Sequence, residues 1–269
     1  MVNRIKLEYK FNRRARKSQV TIFVIIAVLL VLSIAAIFML SKPAVQGEIS
    51  PRENPKAYIQ KCARDAASDA FKEIITHGGF FDPASYVKKS GVKIALICYT
   101  ESNYQLCTNV HPVLEKEMED EIYEYVKPIV EKCFEDVKAG NARYNYNEEP
   151  LNMGIAILPS QIAININKKI SYDRNEGEGT VSIDTFDTKI NSPAFDFVRI
   201  TKEIINDEVS CNCLTETCNT DLVELNNIYR DYTITKPVYS GNGEEIYVIK
   251  EDISGKEFNF AIRNCVRFP

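Results

Sequence analysis

The chain has 269 residues, 45% of them hydrophobic, with 33 Lys+Arg against 37 Asp+Glu, two His, eight Cys and no Trp. A net charge of −4 excludes a broadly basic nucleic-acid-binding protein, and the length allows one large domain or two small ones with a real core. Seven of the basic residues and one acid lie in residues 1–18, leaving 26 and 36 beyond them, a charge of −10.

Arg4, Lys6, Lys10, Arg13, Arg14, Arg16 and Lys17 make residues 1–18 a basic tail. Residues 19–40, "QVTIFVIIAVLLVLSIAAIFML", contain no charge. About 20 apolar residues span a hydrocarbon core, whereas a signal-peptide core needs only about 7–15. The stretch predicts a transmembrane helix and hence a lipid-bilayer partner. The excess of cations before it places the N-terminus in the cytoplasm and the rest outside. The prediction is a single-pass cell-membrane protein with an extracellular C-terminal domain.

Residues 41–55, with Pro43, Gly47, Pro51 and Pro55, read as a spacer, and 56–269 as the extracytoplasmic domain, with a potential subdivision near 140–150. Asn54-Pro55 is an N-cap followed by proline in the first turn. Tyr58, Cys62, Ala66, Ala70, Phe71 and Ile74 recur at helical spacing until Gly78-Gly79 ends the pattern. "VKIALICYTESNYQLCTNV" (92–110) reads as strand, turn, strand. A two-residue loop at Ser102-Asn103 sets Cys98 opposite Cys107 at a non-hydrogen-bonded site, close enough for a disulfide.

A second helix is expected from Pro112 to Gly140, kinked or split at Pro128. Cys62 and Cys133 both fall on apolar stripes, which predicts a bridge stapling the two helices. The acidic run "LEKEMEDEIYEY" reads as a solvated helix face, since it lacks the oxygen-rich loop of a calcium site. "QIAININKKISYD" and "GTVSIDTFDTKIN" alternate at period two and predict paired strands. "SPAFDFVRITKEIIN" (192–206) predicts a helix opened by Ser192-Pro193. A second short helical stretch follows at 222–229, then strands at 232–239, 245–250 and 257–263. The expected class is α+β, helices packed on antiparallel sheet.

All eight cysteines, Cys62, Cys98, Cys107, Cys133, Cys211, Cys213, Cys218 and Cys265, lie beyond the uncharged stretch. An even number confined to the external side predicts a disulfide framework. C-x-C-x4-C at 211–218 does not have zinc-site spacing. Cys211 and Cys213 are too close to pair with each other, so one is assigned to Cys218 and the other to Cys265, without a choice between them. No Asn-x-Ser/Thr acceptor occurs.

No catalytic motif is present. His77 at a helix end and His111 before a proline have structural readings. Asp184 and Asp187 are the carboxylate pair that an extracytoplasmic enzyme could use, although their spacing also suits exposed strand residues. No catalytic, cofactor or metal residues are assigned, and the chain is read as a non-enzyme without cofactors.

"KSQVTIFVIIAVLL", "YIQKCARDAASDAFKEIITHGGFF", "LEKEMEDEIYEYVKPIVEKCFEDV" and "FDFVRITKEIIN" with its following cysteine cluster together resemble a family of single-pass, membrane-anchored ectodomain proteins of DPANN archaea. The resemblance covers most of the chain. It implies an ectodomain on an N-terminal anchor and a helix–helix cysteine pair, and implies no activity. "RKSQVTIF" also resembles the class III signal peptides of archaeal pilins, which implies processing between Ser18 and Gln19. The chain departs from that pattern at Phe23, where such pilins usually carry Glu. Pro43, Pro51 and Pro55 also interrupt the helix that a pilin stem continues. The functional expectation is a cell-surface interaction protein that engages a protein partner or itself, without nucleic acid. The alternatives are a pilin-like filament subunit and a carboxylate-dependent enzyme.

Overall fold

The computed structural model describes residues 25–33, 50–140, 144–146, 150–173, 180–210, 213, 220–237 and 243–266. Residues 25–33 are helical with exposed side chains. Among the described residues no helix is long and apolar enough to cross a membrane. Most of the expected 19–40 span, and Ser18 and Gln19 with it, lie outside the described residues.

Residues from Ser50 onward form one compact α+β unit. Helix α1 (Pro55–Thr76) is opened by Asn54, whose Oδ1 accepts from the Ala57 amide at 3.0 Å. It ends where Gly79 N donates to Ile74 O at 2.8 Å. Gly78 and Gly79 there take φ +82° and +102°, conformations that L side chains rarely adopt. Strands β1 (Tyr86–Lys89), β2 (Val92–Tyr99) and the short β3 (Thr108–Asn109) precede α2 (Leu114–Gly140). The α2 helix runs unbroken through Pro128. Pro128 is exposed, so the carbonyl that loses its amide partner there faces water and the helix is not split.

Then follow β4 (Tyr144–Tyr146), β5 (Asn152–Leu158), β6 (Gln161–Asp173), β7 (Thr180–Thr185) and β8 (Thr188–Asn191). Helices α3 (Ala194–Ser210) and α4 (Leu222–Ile228) come next, and β9 (Tyr232–Thr235), β10 (Glu244–Glu251) and β11 (Glu257–Arg263) close the unit.

Two sheets result. The first has the order β1-β2-β11-β10-β9, with β3 on β2; the second is built on β6, which pairs with β4, β5, β7 and β8. All the pairs are antiparallel except β2–β11, which is parallel. The α1 and α2 helices pack on each other, α1 also contacts β8 and β11, α2 contacts β5, and α3 contacts β5 and β6. One apolar core therefore draws on both sheets and all four helices, from Ile59 in α1 to Ile262 in β11. Val87, Ile94, Leu96, Ile246 and Ala261 form a smaller cluster of their own. The run Ile94–Ile97 is buried without alternation because the two clusters take alternate residues of it, and Cys98 joins Ile97 in the main core.

The expected single strand at 179–191 is two strands. Its apolar positions change parity, from Ile183 to Phe186 and Ile190, and Phe186 turns fully into the core against Phe134, edge to face at 5.3 Å. The β6–β7 register shifts between Asn167 and Ile170.

The Cys98–Cys107 bridge forms, with Cα atoms 5.4 Å apart, but on a different register from the one the sequence suggests. Cys98 lies opposite Asn109 and Tyr99 opposite Thr108, so residues 100–107 are a loop. The two-residue hairpin at Ser102-Asn103 is absent because the loop backbone pairs elsewhere. Thr100 N donates to Arg263 O at 3.2 Å, Tyr104 N to Val266 O at 3.0 Å, and Cys107 N to Asn264 Oδ1 at 2.8 Å. The bridge closes the base of that loop.

Cys62–Cys133 joins α1 to α2, Cα to Cα 6.7 Å, and Cys213–Cys265 ties the segment after α3 to the chain end at 5.1 Å. Cys213 is thus the residue that takes Cys265. Cys211 and Cys218 lie outside the described residues.

Candidate functional site

Both histidines make contacts that tie elements of the fold together. His77 Nδ1 is 2.7 Å from Lys93 O, which binds the end of α1 to β2, and its Nε2 lies 3.6 Å from Glu73. His111 Nδ1 is 3.0 Å from Glu117 Oε2, and its ring packs on Phe80 with centroids 4.5 Å apart. Glu117 is thereby drawn out of the solvated face expected of the acidic run. Two of its neighbours are as well: Glu119 accepts from Ile157 N at 2.8 Å and Glu121 from Phe81 N at 3.0 Å. These carboxylates fasten α2 to β5 and to the segment after α1.

Asp184 and Asp187 are both exposed. Asp184 accepts from Ser182 Oγ at 3.1 Å, and the Asp187 backbone carbonyl accepts from Gln60 Nε2 at 2.8 Å. Neither is among the residues lining the cleft described below. Among the described residues no group of three or more His, Cys, Asp or Glu could hold a metal ion.

Two features escape a reading of the sequence. The first is a buried polar junction at Glu208, which is 1% exposed. Its Oε1 accepts from Tyr247 Oη at 2.6 Å and from Thr220 Oγ1 at 3.1 Å, and its Oε2 accepts from Asn264 Nδ2 at 3.0 Å. Asn264 Nδ2 also donates to the Glu208 carbonyl at 2.7 Å. The Tyr247 phenol is pushed far above its ordinary pKa, first by burial and then by the charge and hydrogen bond of Glu208. Tyr247 also stacks on Phe260 at 5.3 Å. A signal for this junction exists in the sequence: Phe197, Thr201, Ile204 and Glu208 follow one helical stripe. A carboxylate on an apolar stripe needs buried donors.

The second is a cleft of about 420 Å³ between the ends of the two sheets. It draws Ser160 from the β5–β6 turn, Asn191 and Asp196 from the β8–α3 junction, Tyr232 from the start of β9, and Glu251 and Lys256 from the two sides of the β10–β11 turn. Its walls are hydrogen-bonded together: Ser192 N donates to Ser160 O at 3.1 Å, and Asp252 N to Asp231 O at 3.0 Å. Ser192 Oγ accepts from Ala194 N at 3.1 Å and so caps α3.

Within the cleft Asp196 is held on both oxygens. Arg199 lies 2.9 Å from Oδ1, and Tyr232 Oη donates to Oδ2 at 2.9 Å. Tyr232 is pushed up from its ordinary pKa, first by burial and then by that bond, so it stays a neutral donor. Beside it Tyr229, bonded to Glu203, is pushed up to about 12, again first by burial. The charges on this wall of the cleft are already paired. Four segments far apart in the chain compose it, so no local motif announces it. No family model matches the chain, no curated protein matches it, and no solved structure matches it.

Proposed function

We propose that the chain is a membrane-anchored cell-surface protein whose disulfide-stapled ectodomain works by binding, in adhesion, envelope organisation or cell–cell contact. The observation that carries this reading is a separation along the chain. Every cysteine, including the three bridged pairs described above, lies on one side of the uncharged stretch 19–40, and the seven-cation tail lies on the other. Bridges persist in oxidising compartments and cation-rich flanks stay inside. An exterior at −10 suits exposure to salt and discourages nucleic acid.

The test is the mass and N-terminus of the protein taken from native membranes without reduction, together with protease treatment of intact cells. Retention of residues 1–18 and cleavage of residues 50–269 from outside are expected. An ectodomain protected in intact cells and digested only after lysis overturns the reading. A chain beginning at Gln19 favours instead the pilin-like subunit that "KSQVTIF" suggests, and filaments are then the object to seek. The third reading, a carboxylate-dependent enzyme, stands only if changing Asp184 or Asp187 abolishes a measured activity.

A further inference from the structure

Once Asp196 is set aside as already neutralised by Arg199, two opposite charges remain in the cleft. Glu251 receives the hydroxyl of Ser254. The Lys256 ammonium reaches only Asn191 O, at a long 3.4 Å, and lies 5.4 Å from the Phe71 ring centroid. Among the described residues neither Glu251 nor Lys256 has an ion-pair partner, so their own charged groups are more than 4.0 Å apart. Both side chains are half-buried. A half-buried charge has lost part of its hydration, and an opposite charge on a ligand restores what was lost.

The two residues are also held at a set spacing. Glu251 N donates to Lys256 O at 2.9 Å and Gly255 N to Glu251 O at 2.8 Å, with Gly255 at φ +70°. The turn therefore presents a carboxylate and an ammonium on its two sides, with their charged groups more than 4.0 Å apart. The cleft volume falls within the roughly 300–1,000 Å³ of small-molecule sites, toward the small end. Ile253, 87% exposed on the rim, offers apolar surface beside the charged pair.

We propose that this cleft binds a small zwitterion of amino-acid or dipeptide size, its ammonium on Glu251 and its carboxylate on Lys256. Each half of the ligand meets the charge that the protein leaves unpaired, and the rim accommodates an apolar side chain. The inference goes beyond the surface-protein reading and does not depend on where the chain resides. Its failure would leave the N-terminal measurement above untouched, and the reverse holds too.

The experiment is a calorimetric titration of the full chain in detergent micelles with three probes: glycylglycine, acetate and methylammonium. Glycylglycine is expected to saturate the protein at least about 10-fold more tightly than either single-charge probe, because two charge-assisted contacts act together. Glu251→Gln and Lys256→Gln are each expected to weaken it by about 10-fold, and Asp69→Asn, at an exposed carboxylate of α1 beside Lys72, to leave it unchanged. Acetate or methylammonium binding as tightly as glycylglycine overturns the proposal, as does the absence of any saturable glycylglycine heat. Should either variant fail to fold, the three-probe comparison on the unaltered chain decides the matter alone.

Discussion

The phenol of Tyr247 donates to the buried carboxylate of Glu208 at 2.6 Å, and through that bond β10 is fastened to the last turns of α3. Tyr247→Phe keeps the ring and its stacking on Phe260 but removes the donor. The Glu208 oxygen then loses the Tyr247 donor and keeps the Thr220 hydroxyl. A loss of about 1–3 kcal/mol of unfolding free energy is expected. Urea titration checks it; a variant as stable as the parent would show that water replaces the phenol at no cost.

The bridges should rank by the chain they close. Cys62–Cys133 spans 71 residues and Cys98–Cys107 spans 9. Loop-closure entropy gives about 4 kcal/mol for the first and about 2.5 kcal/mol for the second. Paired Cys→Ser variants, compared by denaturant midpoint, should show the larger drop for the helix–helix staple. Equal drops would mean that native packing, not chain entropy, governs the difference.

Gly78, just past the end of α1, sits close against β2 and β11 of the first sheet. A Cβ added there would meet the Ala95 Cβ at 2.8 Å and the Asn259 carbonyl oxygen at 3.1 Å, at φ +82°. Gly78→Ala combines left-handed strain with overpacking, and about 2–4 kcal/mol of destabilisation is expected. Gly91→Ala is the control: it shares a positive φ, +88°, but nothing lies within 4 Å of the added atom. Its cost should be the strain alone, about 1–2 kcal/mol. Identical melting temperatures for the two variants would remove crowding from the explanation.

Asp207 gives a pH signature. Its carboxyl is raised above the ordinary 3.8, first by burial and then by the charges of Glu203, Glu208, Glu224 and Asp221. A raised carboxyl binds its proton more readily in the folded chain than in the unfolded one. Its favourable contribution is complete below 3.8 and is lost as pH rises through the folded value, so at neutral pH the ionised group is a net cost. Asp207→Asn is therefore expected to raise the melting temperature at pH 7 and to flatten its decline just above the ordinary Asp range. The side chain is exposed, so solvent screening holds the gain below about 1 kcal/mol. Parallel pH profiles for parent and variant would rule the effect out.

Much of the fold can be read locally. Asn54-Pro55 opens α1 and Gly78-Gly79 closes it, because capping and left-handed turns depend on neighbouring residues alone. The β11 strand occupies Glu257–Arg263, as its alternation indicates. Cys62 and Cys133 could be paired because each lies on a legible helical stripe. The Ser102-Asn103 turn could not be judged this way. A two-residue hairpin satisfies every local rule, yet Asn264 and Arg263 capture the same backbone groups from more than 150 residues away. Phe186 is an intermediate case: the change of apolar parity between Ile183 and Ile190 is visible, but only a core that can receive the ring gives it meaning.

The sequence by itself determined both ends of α1, the α+β class and the partition of cysteines from the basic tail. Those properties follow from capping, side-chain period and composition, which act over a few residues. Only the tertiary structure decided that Cys213 takes Cys265, that β2 lies parallel to β11, that Glu208 is buried among three donors, and that Glu251 and Lys256 face one cleft unpaired. Each of these depends on segments brought together by burial of a shared apolar core, and burial is indifferent to distance along the chain.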